Sequence, residues 1–130
     1  MTILKLALAQ INVTVGDLGG NSEKVKSCLA QAQREQVDII LARAGYPPED
    51  WRLKPGSAGA NRAARAGLLP SPAGLTAVIG FVDRQDDLYN AAAIAHDGQL
   101  VGVYHKSLLP NYAVFDEDRY FAEGDTDLVF

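Results

Sequence analysis

The sequence predicts a mixed α/β fold in which parallel strands come first and an antiparallel hairpin follows. Three observations carry this: a period-two apolar pattern near the amino terminus, apolar residues at steps of three and four between positions 25 and 32, and Asp97-Gly98 between two strand-like runs. Over residues 3–11, Leu4, Leu6 and Leu8 alternate with Lys5, Ala7 and Ala9, as expected of a strand largely covered on both faces. Gly16, Gly19 and Gly20 break that run. Asn21 is then placed to cap a helix whose apolar stripe is Val25, Cys28, Leu29 and Ala32, ending near Gln36. Residues 37–41 form a second short apolar run, so the order is strand, helix, strand, that of a right-handed crossover between parallel strands.

Residues 45–56 hold Pro47, Pro48 and Pro55 and read as a rigid loop, because proline removes ladder and helix donors. Ser57 is placed to open a short helix over 57–66, weakened by Gly59 and presenting a face only alanine deep. A Pro/Gly connection over 68–74 leads to a third strand over 76–82 with β-branched content. The runs 88–96 and 99–104 flank Asp97-Gly98, a two-residue turn that needs positive φ at its centre, so they read as a hairpin and the sheet as mixed. There are no internal repeats and no low-complexity tracts.

With 130 residues, 48% hydrophobic and 22% charged, the chain has the composition of one globular domain at most. No apolar run approaches the roughly 20 residues that span a bilayer, and residues 1–8 show no basic region followed by a cleavage site. The lone Cys28 cannot form an internal disulfide, so a soluble protein of the cytoplasm is expected. A net charge of −4 and a pI near 5.0 give no general attraction to phosphate backbones or anionic lipid, so nucleic acid and membrane are not expected partners. His96 and His105 are too few and too isolated for a metal site, and no glycine cluster has the spacing of a phosphate loop, so no cofactor is expected on this chain.

Three segments say more. They are Ala9-Gln10-Ile11-Asn12 with Val15-Gly16-Asp17; Gly45-Tyr46-Pro47-Pro48-Glu49-Asp50; and Tyr104-His105-Lys106-Ser107-Leu108-Leu109-Pro110-Asn111-Tyr112 running into Phe115-Asp116-Glu117-Asp118-Arg119-Tyr120-Phe121. In this order, with these connecting elements, they resemble the nitrilase (carbon-nitrogen hydrolase) superfamily over essentially the whole chain. The Gly-Tyr-Pro-Pro-Glu-Asp loop and the Pro-Asn-Tyr to Arg-Tyr-Phe stretch resemble, more narrowly, the amino-terminal glutaminase domain of glutamine-dependent NAD synthetases. The resemblance implies that residues 1–130 are the N-terminal part of such a domain, a partial nitrilase-like αββα sandwich with a mixed sheet.

It also implies a Cys-Lys-Glu triad between strand ends. A carboxylate takes the thiol proton, the thiolate attacks the side-chain amide of glutamine, and a lysine ammonium stabilises the oxyanion of the tetrahedral intermediate. Ammonia leaves, water releases glutamate, and the ammonia reaches a separate synthetase domain where ATP-activated deamido-NAD is amidated. On this resemblance Lys106 is the catalytic lysine, Tyr112 lines the glutamine pocket, and Glu117 orients the lysine and its substrate. Each residue has a plainer alternative. Lys106 could be a solvated lysine at a strand end, Tyr112 a half-buried aromatic closing a loop, and Glu117 one carboxylate of a solvated acidic run that includes Asp116, Asp118, Glu123, Asp125 and Asp127.

The departures from the family pattern are as informative. The family carries its catalytic glutamate in a Phe-Pro-Glu-Leu step, whereas here Asp38-Ile39-Ile40-Leu41 runs straight into Ala42-Arg43-Ala44-Gly45-Tyr46, leaving the general base without a position. Glu49 and Asp50 belong to the following loop. Leu128-Val129-Phe130 corresponds to the stretch before the family's Cys-Glu-Asp nucleophile motif. Cys28 lies on the helix stripe, where a cysteine behaves as a small hydrophobe, and Ser107 beside Lys106 points to the opposite face of an extended segment. The segment 51–75 is alanine- and glycine-rich, and Arg43, Arg52, Lys54, Arg62 and Arg65 read as surface charge.

The expectation is a glutaminase portion of an NAD synthetase, truncated or internally deleted and inactive alone, with glutamine and a synthetase domain as family partners. An alternative is a non-catalytic assembly protein derived from a nitrilase fold, forming homo-oligomers through uncovered sheet surface. A third is another nitrilase-type amidase.

Overall fold

The computed structural model describes residues 3–14, 17–43 and 72–130. The expected 45–56 loop and 57–66 helix lie outside the described residues, as do Arg52, Lys54, Arg62 and Arg65. Five strands form one sheet in sequence order: β1 (Leu6–Ala9), β2 (Ile39–Arg43), β3 (Thr76–Arg84), β4 (Leu88–His96) and β5 (Gln99–His105). The first three are parallel, with Leu6 opposite Ile39 and Ile39 opposite Thr76. The last two return antiparallel, with Phe81 opposite Ala91 and Ala91 opposite His105. The fold is therefore α/β with a mixed sheet, nitrilase-like in its strand order. A bulge between Ile94 and Ala95 interrupts the β4–β5 register. Asp97 (φ 49°) and Gly98 (φ 74°) are both left-handed, the backbone that a two-residue turn needs to match strand twist.

The helix α1 (Leu18–Arg34) starts earlier than the sequence predicts. Its cap is Asp17, whose Oδ1 accepts the Gly20 amide at 2.8 Å, so the two glycines fall inside the first turn. Asn21 is not the cap. It is 1% exposed, its Oδ1 accepts the Thr14 amide at 2.9 Å, and its Nδ2 donates to the Thr14 carbonyl at 2.7 Å. A buried amide that satisfies both backbone groups of one residue pins the β1–α1 connection to the helix. Asn21→Ala is expected to destabilise the chain by about 2 kcal/mol, because both Thr14 groups lose their partner. Urea denaturation checks this, and a loss under about 0.5 kcal/mol would mean that water replaces the amide.

Val25, Leu29 and Ala32 of α1 pack on Ile40, Ala42, Leu75, Ala77 and Ile79, with Ala7, Ala9, Ile11 and Cys28 partly buried around them. Small alanines on the strands let the helix lie close. Phe81, Ala91, Ala93 and Val103 form a second cluster farther along the sheet. Paired register places Ala77, Ile79, Phe81, Ala91, Ala93 and Val103 on this one face.

The opposite face corrects one expectation. β1 is covered on one side only, for Leu6 and Leu8 are 54% and 71% exposed while Ala7 and Ala9 meet the helix-side core. Leu41 on β2 is also exposed, at 40%. Hydrophobicity states what a residue tolerates as surroundings, not which segment supplies them. Among the described residues no helix is long and apolar enough to cross a membrane.

Candidate active site

Lys106 follows the last residue of β5. Its amide donates to the Asn90 carbonyl at 2.8 Å, and its carbonyl accepts from the Gly124 amide at 3.0 Å, so the chain is held on both sides of this residue. The Ala122 amide donates to the Leu88 carbonyl at 2.8 Å, which lays the 122–124 segment along the start of β4. A side chain at Gly124 has no room, because its Cβ would strike the His105 carbonyl.

Glu117 opens a 3-10 turn, Glu117–Arg119. Its carbonyl accepts the Tyr120 and Phe121 amides, both at 2.9 Å, and Phe121 is buried, so the turn is anchored at its exit. Lys106 Nζ donates to Glu117 Oε2 at 2.8 Å and to Oε1 at 3.1 Å. The Glu117 side chain is 17% exposed, while Asp116 and Asp118 stay exposed and Asp116 pairs with Arg119 at 3.6 Å. One carboxylate of the acidic run is thus turned inward, onto a lysine. An ammonium has three donors; the carboxylate engages Nζ through its two oxygens and leaves capacity for a further acceptor.

Tyr112, the third residue named from the sequence, is 68% exposed. Its ring meets Phe115 edge-on at 5.6 Å, so Lys106 is grouped with Glu117 and Tyr112 with Phe115. Ser107 Oγ lies 3.2 Å from the Tyr104 hydroxyl rather than against Lys106. Cys28 packs with the helix-side core, whereas strand alternation after His105 puts Lys106 on the other face. The sheet stands between them. Arg43 ends β2 opposite Gly80, exposed.

A second cluster lies directly behind Lys106. His105 Nε2 is 3.0 Å from Oδ2 of Asp83, whose residue is 6% exposed, and Gln85 donates to the same oxygen at 3.2 Å. The Tyr89 ring stacks on the imidazole at 4.1 Å and 11°, and its hydroxyl donates to Asp86 at 2.9 Å. The sequence expectation treats His105 as isolated. Only the register that sets Asp83 beside Tyr89 and Ala91 beside His105 brings these residues together. His96 serves the other end of the hairpin, with Nδ1 3.0 Å from Thr76 Oγ1. Among the described residues no group of three His, Cys, Asp or Glu could hold a metal ion.

Burial pushes the Asp83 carboxyl up, but hydrogen bonds from His105, Gln85 and the Arg84 backbone, with attraction to His105, hold it below the usual 3.8. A depressed folded-state value means that this carboxylate stabilises the fold above its unfolded pKa. That contribution is lost as pH falls through the lower folded value. Asp83→Asn is therefore expected to be less stable than the parent at neutral pH, with the gap closing below about pH 4. Urea midpoints across pH check this; a gap that persists into strong acid would remove Asp83 from the account.

Residues 5–130 match the carbon-nitrogen hydrolase family, and the chain belongs to it. Among its relatives are glutamine-dependent NAD(+) synthetases. It is 42% identical to that of Thermotoga maritima over 99% of this chain and 23% of the relative, and 36% identical to that of Acinetobacter baylyi over 100% and 25%. The solved glutamine-dependent NAD+ synthetase of Acinetobacter baumannii superposes with a TM-score of 0.89 at 38% identity, covering 98% of this chain and 25% of that one. An amidase from Nesterenkonia sp. shares the fold at a TM-score of 0.79 and 20% identity, over 95% and 49%. The chain thus spans about a quarter of the length of the synthetases it matches. The Thermotoga match runs over 135 positions where this chain has 130 residues, so the relative carries residues that this chain lacks.

Proposed function

We propose that this chain is the lysine-bearing part of a glutaminase that supplies ammonia for NAD synthesis in the cytoplasm. The carrying observation is the two-pronged Lys106–Glu117 pair at the end of β5, in a chain 42% identical to a glutamine-dependent NAD(+) synthetase. In this reading a thiolate from outside the 130 residues attacks the side-chain amide carbon of glutamine. Lys106 Nζ then faces the developing oxyanion, held in place by Glu117. The C–N bond breaks, ammonia leaves after protonation, and water releases glutamate from the sulfur. Tyr112 closes the glutamine pocket, and the synthetase domain, with its ATP and deamido-NAD, is the partner that consumes the ammonia.

The chain alone is inactive in this reading, since the general base has no position between Leu41 and Ala42 and Cys28 lies across the sheet from Lys106. The test uses two proteins. Incubated with glutamine, the 130-residue chain is expected to release no ammonia above background. A chimera carrying it in place of the matching quarter of the Thermotoga maritima synthetase is expected to gain glutamine-dependent activity only when Phe-Pro-Glu-Leu is inserted after Leu41. Activity without the insertion would sink the missing-base argument.

A second reading, non-catalytic assembly, is favoured by the exposed Leu6, Leu8 and Leu41 on one sheet face. It predicts dimers or larger species by light scattering; a well-folded monomer counts against it.

A further inference from the structure

We propose that Asp83 and His105 are positioning residues, whose contact on the α1 side of the sheet fixes where Lys106 Nζ stands on the other side. Its functional consequence rests on the glutaminase reading above; the positioning itself does not.

β5 is the last strand of the sheet, and a lysine just past the end of an edge strand is where fraying is expected. Here the fraying end is tied down. The His105–Asp83 contact, at 3.0 Å, reaches across β4 and links the edge strand to the third strand, which is not its neighbour. Asp83 is nearly sequestered from water, so losing His105 would leave a buried carboxylate short of a partner, and the contact is correspondingly hard to break. The Tyr89 ring, stacked at 4.1 Å, removes most of the freedom left to the imidazole. Asn90 and Gly124 hold the Lys106 backbone itself, and the absence of a side chain at Gly124 lets the 122–124 segment close over the His105 carbonyl.

Consecutive residues of an extended segment send their side chains to opposite faces, so the imidazole of His105 does not reach the Lys106 ammonium or its Glu117 partner. It acts through the shared peptide. Fixing the imidazole fixes the His105 backbone, which sets the direction of the Lys106 side chain toward Glu117, 2.8 Å away. Placement of a charge donor matters because a small displacement from the oxyanion forfeits much of its effect.

The experiment reads Lys106 directly. The 130-residue chain, labelled with 13C at lysine Cε, is studied by relaxation NMR, and acetylation of Lys106 by acetic anhydride is measured against Lys26 by mass spectrometry. His105→Phe, which keeps a ring for Tyr89 but loses the hydrogen bond, is expected to mobilise Lys106. Its acetylation relative to Lys26 should rise about fivefold, the factor matching one net hydrogen bond. His105→Gln, which keeps a donor, should stay within about twofold of the parent. Unchanged Lys106 dynamics and acetylation in folded His105→Phe would overturn the proposal. Circular dichroism gives the folded fraction of each variant, and acetylation is compared at equal folded fraction; should no folded population remain for His105→Phe, Asp83→Leu, which has no acceptor for the imidazole, decides by the same measurement. In the repaired chimera, a lower kcat with unchanged KM for His105→Phe supports the functional consequence, and an unchanged kcat overturns it. A chimera inactive in every form counts against the glutaminase reading and leaves the NMR result standing.

Discussion

Lys106→Ala, in the chimera with Phe-Pro-Glu-Leu restored, is expected to lower glutamine-dependent ammonia release by about 10²- to 10³-fold, the usual effect of deleting one oxyanion donor. On the proposed role of Lys106 the loss should fall mainly in kcat, because an oxyanion donor meets full negative charge only as the tetrahedral intermediate forms. Glu117→Gln should weaken activity less. It keeps the shape that holds Nζ at 2.8–3.1 Å but removes the charge that favours an ammonium there. Steady-state kinetics with glutamine, alongside kinetics with free ammonia as a control for the synthetase reaction, separate the two. A Lys106→Ala chimera that keeps glutamine-dependent activity would end the assignment of Lys106, and a loss with ammonia as well would point to misfolding.

Ile40→Ala is expected to be the most damaging single change to the fold, destabilising it by about 2–5 kcal/mol. Ile40 is 2% exposed and sits in the central parallel strand of β1, β2 and β3, between Ala7 and Ala77, beneath α1. Its neighbours in register are alanines, which cannot expand to fill the space left behind, so loss of transfer energy and the cavity both count. Urea denaturation followed by circular dichroism measures it; a loss under about 1 kcal/mol would show that α1 settles onto the sheet.

Much of the fold was legible in local pattern. The 25–32 stripe, the short run that became β2 and the Asp97-Gly98 turn each depend on a period or a backbone requirement that neighbouring residues express without help. Element ends were less legible. β2 runs on to Arg43 and β5 to His105 because hydrogen-bonded neighbours extend them, and α1 begins at Leu18, directly after its Asp17 cap, because an aspartate caps more readily than the glycines after it resist. Asn21 shows the same limit from another side. A residue suited to capping was used for a tertiary clamp on Thr14, a choice that no local rule records.

What the sequence determined by itself was membership and inventory: the carbon-nitrogen hydrolase family, the mixed strand order, Lys106 and Glu117 as candidates, and the absence of a glutamate between Leu41 and Ala42. Those are properties of residue order, set by covalent neighbours. Only the tertiary structure decided that Glu117 leaves the acidic run to face Lys106, that Cys28 lies across the sheet from it, and that Asp83 reaches His105 over an intervening strand. The reason is physical. Side-chain meetings across a sheet are set by register and by which face each residue takes, and shifting either by one position exchanges every partner.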